Sequence, residues 1–153
     1  MKEIMFNSIS GNTKKLALTI KEVLGDVYCG DIKEVESDVV FVGFWATKNS
    51  CDPKVQALLE SLNNKKVFLF GTCGYNNSQE FFDLVLDNAK AHINDTNEFI
   101  GGFVCQGKVS DAKQKSLKET HPNYEGLKPF LEESVNHPSV DDLDALKKLV
   151  SSL

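Results

Sequence analysis

The sequence predicts an α/β three-layer sandwich: one sheet of five parallel strands with helices on both faces. Three observations carry this. Short apolar runs alternate with helical patterns along the chain, the order of a parallel sheet joined by crossover helices. One run, Val39 to Phe44, is almost wholly apolar, as expected of a strand covered on both faces. The length of 153 residues, with 41% hydrophobic and 25% charged, suits one domain with one proper core.

The elements follow in order. Ile4 to Phe6 is the first strand. Lys14 to Leu24 is a helix, because Leu16, Ala17, Ile20, Val23 and Leu24 share a face, and Gly25 ends it. Val27 to Cys29 is a short edge strand, and Val39 to Phe44 a buried one. Asp52 and Pro53 are a good N-cap and first helical residue for a helix that turns Val55, Leu58, Leu59 and Leu62 inward. Val67 to Phe70 is the fourth strand. A helix from Ser78 to Ala91 follows, capped by Ser78. Phe99 to Cys105 is the fifth strand, loosened by Gly101 and Gly102. Residues 110–120 are helical but weakly amphipathic. Residues 121–140 carry Pro122, Gly126, Pro129 and Pro138 and are expected to be mostly irregular. Val140 to Leu153 is a closing helix capped by Asp141 or Asp142.

A net charge of -5 and a pI near 5.2 disfavour nucleic acid, which wants a basic face. They suit docking on a basic patch of a protein partner. No apolar run approaches the ~20 residues of a membrane span. Met1 to Ile4 runs straight into the first strand without a signal peptide, so a cytoplasmic location is expected. Cys29, Cys51, Cys73 and Cys105 are widely spaced, with no zinc pattern, and are expected to be free thiols.

In such a sheet, ligands sit at the carboxyl ends of the strands, where the strand order reverses. After the first strand comes Ser8-Ile9-Ser10-Gly11-Asn12-Thr13, a hydroxyl-rich turn opening a helix. Its hydroxyls and backbone N–H groups, with the helix dipole, suit an anionic phosphate. After the third comes Gly43 to Cys51, with the chain's one tryptophan, Trp45, followed by Ala46 and Thr47. After the fourth comes Gly71-Thr72-Cys73-Gly74-Tyr75-Asn76-Asn77. A phosphate cradle and two aromatic-bearing loops are what a flat, phosphorylated ring ligand needs, with Trp45 or Tyr75 stacking on the ring.

This pattern resembles the flavodoxins. The first loop is similar to their T/S-x-T-G-x-T phosphate loop, with Ser8, Ser10, Gly11 and Thr13 in the matching places. Ser10 stands for the usual threonine, and Asn12 is common there. The runs Val42-Gly43-Phe44-Trp45, Phe70-Gly71-Thr72-Cys73-Gly74 and Phe103-Val104-Cys105-Gln106-Gly107-Lys108 resemble a subgroup of small bacterial flavodoxin-domain proteins associated with bilirubin reductases, as does His137 to Leu143. Thr47 and Asn49 replace an acid and a glycine of that subgroup's second loop.

The resemblance implies a flavodoxin-like sheet of order 2-1-3-4-5 and non-covalent FMN. The expected cofactor-binding residues are Ser8, Ser10, Gly11, Asn12 and Thr13; Trp45, Ala46 and Thr47; Thr72, Cys73, Gly74 and Tyr75; and Cys105. It also implies a low-potential, one-electron carrier between a reductase donor and an acceptor enzyme, with a bilirubin or other tetrapyrrole reductase as one client. A buried, partly apolar site in an acidic protein disfavours added negative charge, which lowers a potential. A peptide flip at Thr47–Asn49 or at Cys73–Gly74 would offer the ring a carbonyl, and Gly74 makes one cheap. The alternative is an NAD(P)H-dependent FMN quinone or azo reductase on the same fold, which usually has longer loops. A response-regulator receiver needs acids that Asn7-Ser8 and Gly43-Phe44-Trp45 do not supply. Cys51, ahead of a helix start, is either a packed thiol or a reactive one with a lowered pKa. His92, His121 and His137 are expected at the surface, apart from the loops.

Overall fold

The computed structural model describes residues 1–153. Its elements are β1 (Lys2–Phe6), α1 (Asn12–Leu24), β2 (Tyr28–Gly30), β3 (Val39–Thr47), β4 (Ser50–Cys51), α2 (Pro53–Ser61), β5 (Lys66–Cys73), α3 (Gln79–Lys90), β6 (Glu98–Gln106), α4 (Asp111–Thr120), α5 (Tyr124–Ser134) and α6 (Val140–Ser151). The parallel strands run in the order β2-β1-β3-β5-β6, and the short β4 pairs antiparallel with β3. Counted among the parallel strands alone, this is the expected 2-1-3-4-5 order.

The sheet's two faces are built by alternation along each strand. Met5, Val42 and Leu69 join the cluster beneath α2 and α3, with Val55, Leu59 and Val85. Their neighbours Ile4, Phe41 and Phe68 join the opposite cluster beneath α1 and α6, with Leu16, Ile20 and Leu146. Burying each such side chain stabilises the fold by about 1.5–3 kcal/mol before entropy costs. The register Phe6↔Gly43, Phe44↔Gly71 and Thr72↔Cys105 keeps the carboxyl ends of the central strands near one level. Glycine makes this packing possible. A Cβ at Gly43 would collide with the Phe70 ring, and one at Gly71 with the Phe44 ring.

Three expectations are corrected. Residues 121–140 are not mostly irregular, because α5 occupies Tyr124–Ser134 despite Pro129 within it. Tyr124, Leu127 and Leu131 share its inner face and pack on Val109 and Leu117, a small core of their own. The closing helix is capped by Ser139, not by Asp141 or Asp142: Ser139 Oγ accepts from the Asp142 N–H, and Asp142 accepts from the Ser139 N–H, a reciprocal box. The third and fourth strands also run further than expected. β3 reaches Thr47 because it pairs with β5 up to Trp45↔Thr72 and then turns into β4. Trp45, Ala46, Thr47, Thr72 and Cys73 therefore begin inside strands. No helix is long and apolar enough to cross a membrane.

Candidate cofactor site

Loop one (residues 7–11) joins β1 to α1. Asn7 N–H extends the ladder by donating to the Gly43 carbonyl at 3.1 Å. Ser8 Oγ accepts from the Gly11 N–H at 3.1 Å, which closes a tight turn. Gly11 is left-handed at φ 89, and no atom lies within 4 Å of where its Cβ would stand. Only the backbone conformation, not space, asks for glycine there. No side chain caps α1, whereas Asp52, Ser78, Ser110 and Ser139 cap α2, α3, α4 and α6. The first N–H groups of α1 thus face out of the loop with the positive end of the helix dipole behind them, a ready place for an anion.

Two side chains at the start of α1 work inward. Thr13 is 1% exposed; its hydroxyl donates to the Phe44 carbonyl at 2.9 Å and lies 3.1 Å from Thr72 Oγ1. The buried Asn12 donates to Ser10 Oγ at 2.9 Å and to the Lys108 carbonyl at 2.8 Å. Helix α1 is thereby tied to β3, β5 and the segment after β6.

Loop two is a hairpin. Ala46 pairs with Cys51 and Thr47 with Ser50, and Lys48 and Asn49 form the turn at φ 51 and 61. Both residues positive in φ is the pattern of a type I′ hairpin turn. Asn88 of α3 donates to the Asn49 carbonyl at 2.7 Å and steadies the turn from outside. Asp52, fully buried, accepts from Asn7 Nδ2 at 2.9 Å, from the Val55 N–H at 3.1 Å and from the Trp45 N–H at 3.4 Å. The indole N–H of Trp45 is buried with no acceptor. A cleft of about 350 Å³ opens beside the loop, lined by Trp45, Thr47, Lys48, Ser50, Pro53 and Gln56.

Loop three (residues 74–78) leaves β5 with Tyr75 40% exposed at its tip, and partial burial pushes the phenol upward. Behind it, the Gly107 N–H donates to the Cys73 carbonyl at 2.8 Å, and Gln106 donates to the Gly74 carbonyl at 3.2 Å. A second cleft, about 260 Å³, lies at the amino end of β1 around Glu3 and Tyr28, away from all three loops.

A family model described as a flavodoxin domain matches residues 3–151. The chain belongs to the flavodoxin domain family. It is 32% identical over 157 residues to the flavodoxin-like domain-containing protein BilS of Clostridioides difficile strain CD3, covering 92% of this chain and 88% of that one. A BilS protein of Clostridium symbiosum strain WAL-14163 is 26% identical, covering 98% and 94%. An archaeal flavodoxin superposes with a TM-score of 0.60 at 16% identity, covering 99% of this chain and 95% of that one. A Lactobacillus acidophilus NCFM flavoprotein in complex with FMN superposes with a TM-score of 0.56 at 14% identity, over 77% and 96%. These structural likenesses concern the fold; the family match makes FMN the supported cofactor.

The donor set of this flavodoxin domain fits such a ligand. At loop one a phosphate would meet the open N–H groups of α1 and the Ser8 and Ser10 hydroxyls, with Lys14 and Lys15 in the first turn of the helix and no arginine in the sequence. An aromatic side chain with an unpartnered buried N–H, Trp45, stands at the end of the neighbouring strand. The structure brings Ser8, Ser10, Gly11, Trp45, Ala46, Thr47, Gly74 and Tyr75 to the three loops and adjoining strand ends. Thr13, Thr72 and Asn12 support the loops from within. Cys73 and Cys105 lie beneath, on opposite faces of the sheet.

Three further participants escaped the sequence reading. Asp52 was seen as a helix cap, not as the link between loops one and two. Gln106 and the segment 107–109 buttress loops one and three through partners up to 96 positions away. His137, expected at the surface and apart from the loops, is half-buried: its carbonyl accepts from the Lys108 N–H at 2.8 Å, and its ring bonds Asp142 at 2.6 Å. Of the two readings of Cys51, the structure favours the packed thiol: it is fully buried, and burial pushes it up to about 11.

Proposed function

We propose that residues 1–153 act as one flavodoxin domain that holds FMN across the three loops and passes electrons from a reductase donor to an acceptor enzyme in the cytoplasm. The observation that carries this is the interlocking of three strand-end loops around the start of α1, which no side chain caps. When bound, the flavin supplies the redox chemistry, taking up and releasing electrons at its ring.

The chain's own residues do the rest. The α1 N–H groups, with Ser8 and Ser10, hold the phosphate by hydrogen bonds. Thr13 and Asp52 keep loop one seated against β3. Trp45 and Tyr75 flank the ring with apolar surface and keep water from its faces.

The purified protein, after incubation with FMN and gel filtration, should carry a yellow flavin spectrum. A colourless protein that fails to retain FMN would overturn the reading. NADPH added alone should not bleach the flavin; prompt bleaching would favour the quinone or azo reductase alternative.

A further inference from the structure

The structure assigns to Gln106 a positioning role: it clamps the Gly74 peptide so that loop three presents a hydrogen-bond donor, not a carbonyl, to the ring ligand. This rests on the FMN reading above and deepens it.

Gln106 ends β6 and is fully buried. Its side-chain nitrogen donates to the Gly74 carbonyl at 3.2 Å and to the Phe130 carbonyl of α5 at 3.0 Å. Both amide protons are therefore used, one on each side. Its Oε1 is buried with no partner. An unpaired buried carbonyl is costly, and a leucine or methionine would fill the same space without that cost. What distinguishes glutamine here is the pair of donated bonds.

Those bonds dictate the orientation of the next peptide. In a trans peptide the N–H points opposite to the C=O. With the Gly74 carbonyl turned to Gln106 of β6, the Tyr75 N–H points away from β6. Strand β3, carrying Trp45 and loop two, flanks β5 on that other side. Loop three thus offers the acceptor edge of a ring a backbone N–H. Reversal of this peptide would break the bond to Gln106. The neighbouring Cys73–Gly74 peptide, where the sequence suggested a flip, is held separately, its Cys73 carbonyl accepting from the Gly107 N–H at 2.8 Å.

The first measurement needs no mutation. In the wild-type chain without FMN, proton exchange of the Gln106 side-chain amide should be at least tenfold slower than in free glutamine; exchange at the free rate overturns the clamp. The second uses Gln106→Met and Gln106→Leu, which fill similar space but donate no hydrogen bond. Both should speed backbone amide exchange at residues 74–76 about tenfold, leave the amides of β1 and β3 slow, and weaken FMN about tenfold by fluorescence titration. Wild-type loop exchange, or wild-type FMN affinity, in either variant overturns the role, because packing alone would then suffice. If a variant does not fold, the wild-type side-chain exchange decides. If the wild type takes up no FMN, the flavin reading fails while the exchange data still judge the clamp.

Discussion

The side chain of Asn7 donates to the Asp52 carboxylate at 2.9 Å, joining the start of loop one to the end of loop two across 45 positions of sequence. The same carboxylate caps α2 and reaches the Trp45 N–H, so one buried group sets the spacing between the phosphate end and the aromatic end of the site. Asp52→Ala leaves all three donors unpaired and should lower stability by about 2–4 kcal/mol, with FMN affinity falling alongside. Asn7→Ala removes one bond to a charged group and should cost about 1.5–3 kcal/mol. Urea denaturation of both single variants and the double variant should show a loss for the pair smaller than the sum. Additive losses would mean that the two residues do not act through one another.

Gly11 separates backbone strain from packing. Its φ of 89 is disfavoured for any L side chain, yet the space around it is open. Gly11→Ala should therefore cost about 1–2 kcal/mol of strain and nothing for collision. Part of that strain is relieved by reshaping the turn that Ser8 closes, so FMN should bind roughly tenfold more weakly, about 1.4 kcal/mol. Gly43→Ala is the contrast. Its Cβ would enter the Phe70 ring, so thermal denaturation should show a larger loss than for Gly11→Ala. Equal losses would place the cost at Gly11 in contacts rather than in φ.

The parallel sheet was legible because its central strands are apolar on both faces and β1, β3 and β5 lead into helices with a clear apolar stripe. The phosphate and aromatic loops were legible for the same reason: once Ile4–Phe6, Val39–Phe44 and Val67–Phe70 read as strands, their following residues had to meet. β4 was not, because Ser50 and Cys51 are too few to show a period. In α5, Pro129 and Gly126 masked the helical spacing of Tyr124, Leu127 and Leu131, although that spacing was the signal. A proline costs one hydrogen bond, and the small core beneath α5 offsets it. The bonds of Asn12 to Lys108 and of Gln106 to Gly74 leave no local trace, since their partners are 96 and 32 positions away.

The cysteines make the protein's alkaline behaviour predictable. Burial pushes Cys51 up to about 11 and Cys73 up to about 12, and raises Cys105 and Cys29 as well, above an ordinary value of 9. A thiol that stays protonated in the folded chain but ionises in the unfolded chain stabilises the fold below pH 9. That contribution is lost as pH rises from 9 through the folded values. Urea-unfolding free energies should accordingly fall above pH 9. In thiol labelling at pH 8, none of the four should react faster than free cysteine. A fast-reacting Cys51 would restore the reactive-thiol reading.

Glu3 governs the acid side. Burial alone would push its carboxyl up. Hydrogen bonds from the Ser37 hydroxyl at 2.7 Å and the Glu36 N–H at 2.9 Å, with Lys33 at 3.5 Å, together outweigh this and hold it below its ordinary 4.5. A carboxyl depressed in the folded state contributes stability above the unfolded value, and loses it as pH falls from about 4.5 through the lower folded value. Glu3→Gln should cost about 1–3 kcal/mol at pH 7. The gap between wild type and variant, measured by urea denaturation, should narrow steadily below pH 4.5. Because Glu3 lies at the amino end of β1, at the far end of the sheet from the three loops, FMN affinity at pH 7 should be unchanged in this variant. A gap that stays constant to pH 3 would show that the hydrogen bonds from Ser37 and Glu36 do not favour the ionised carboxylate.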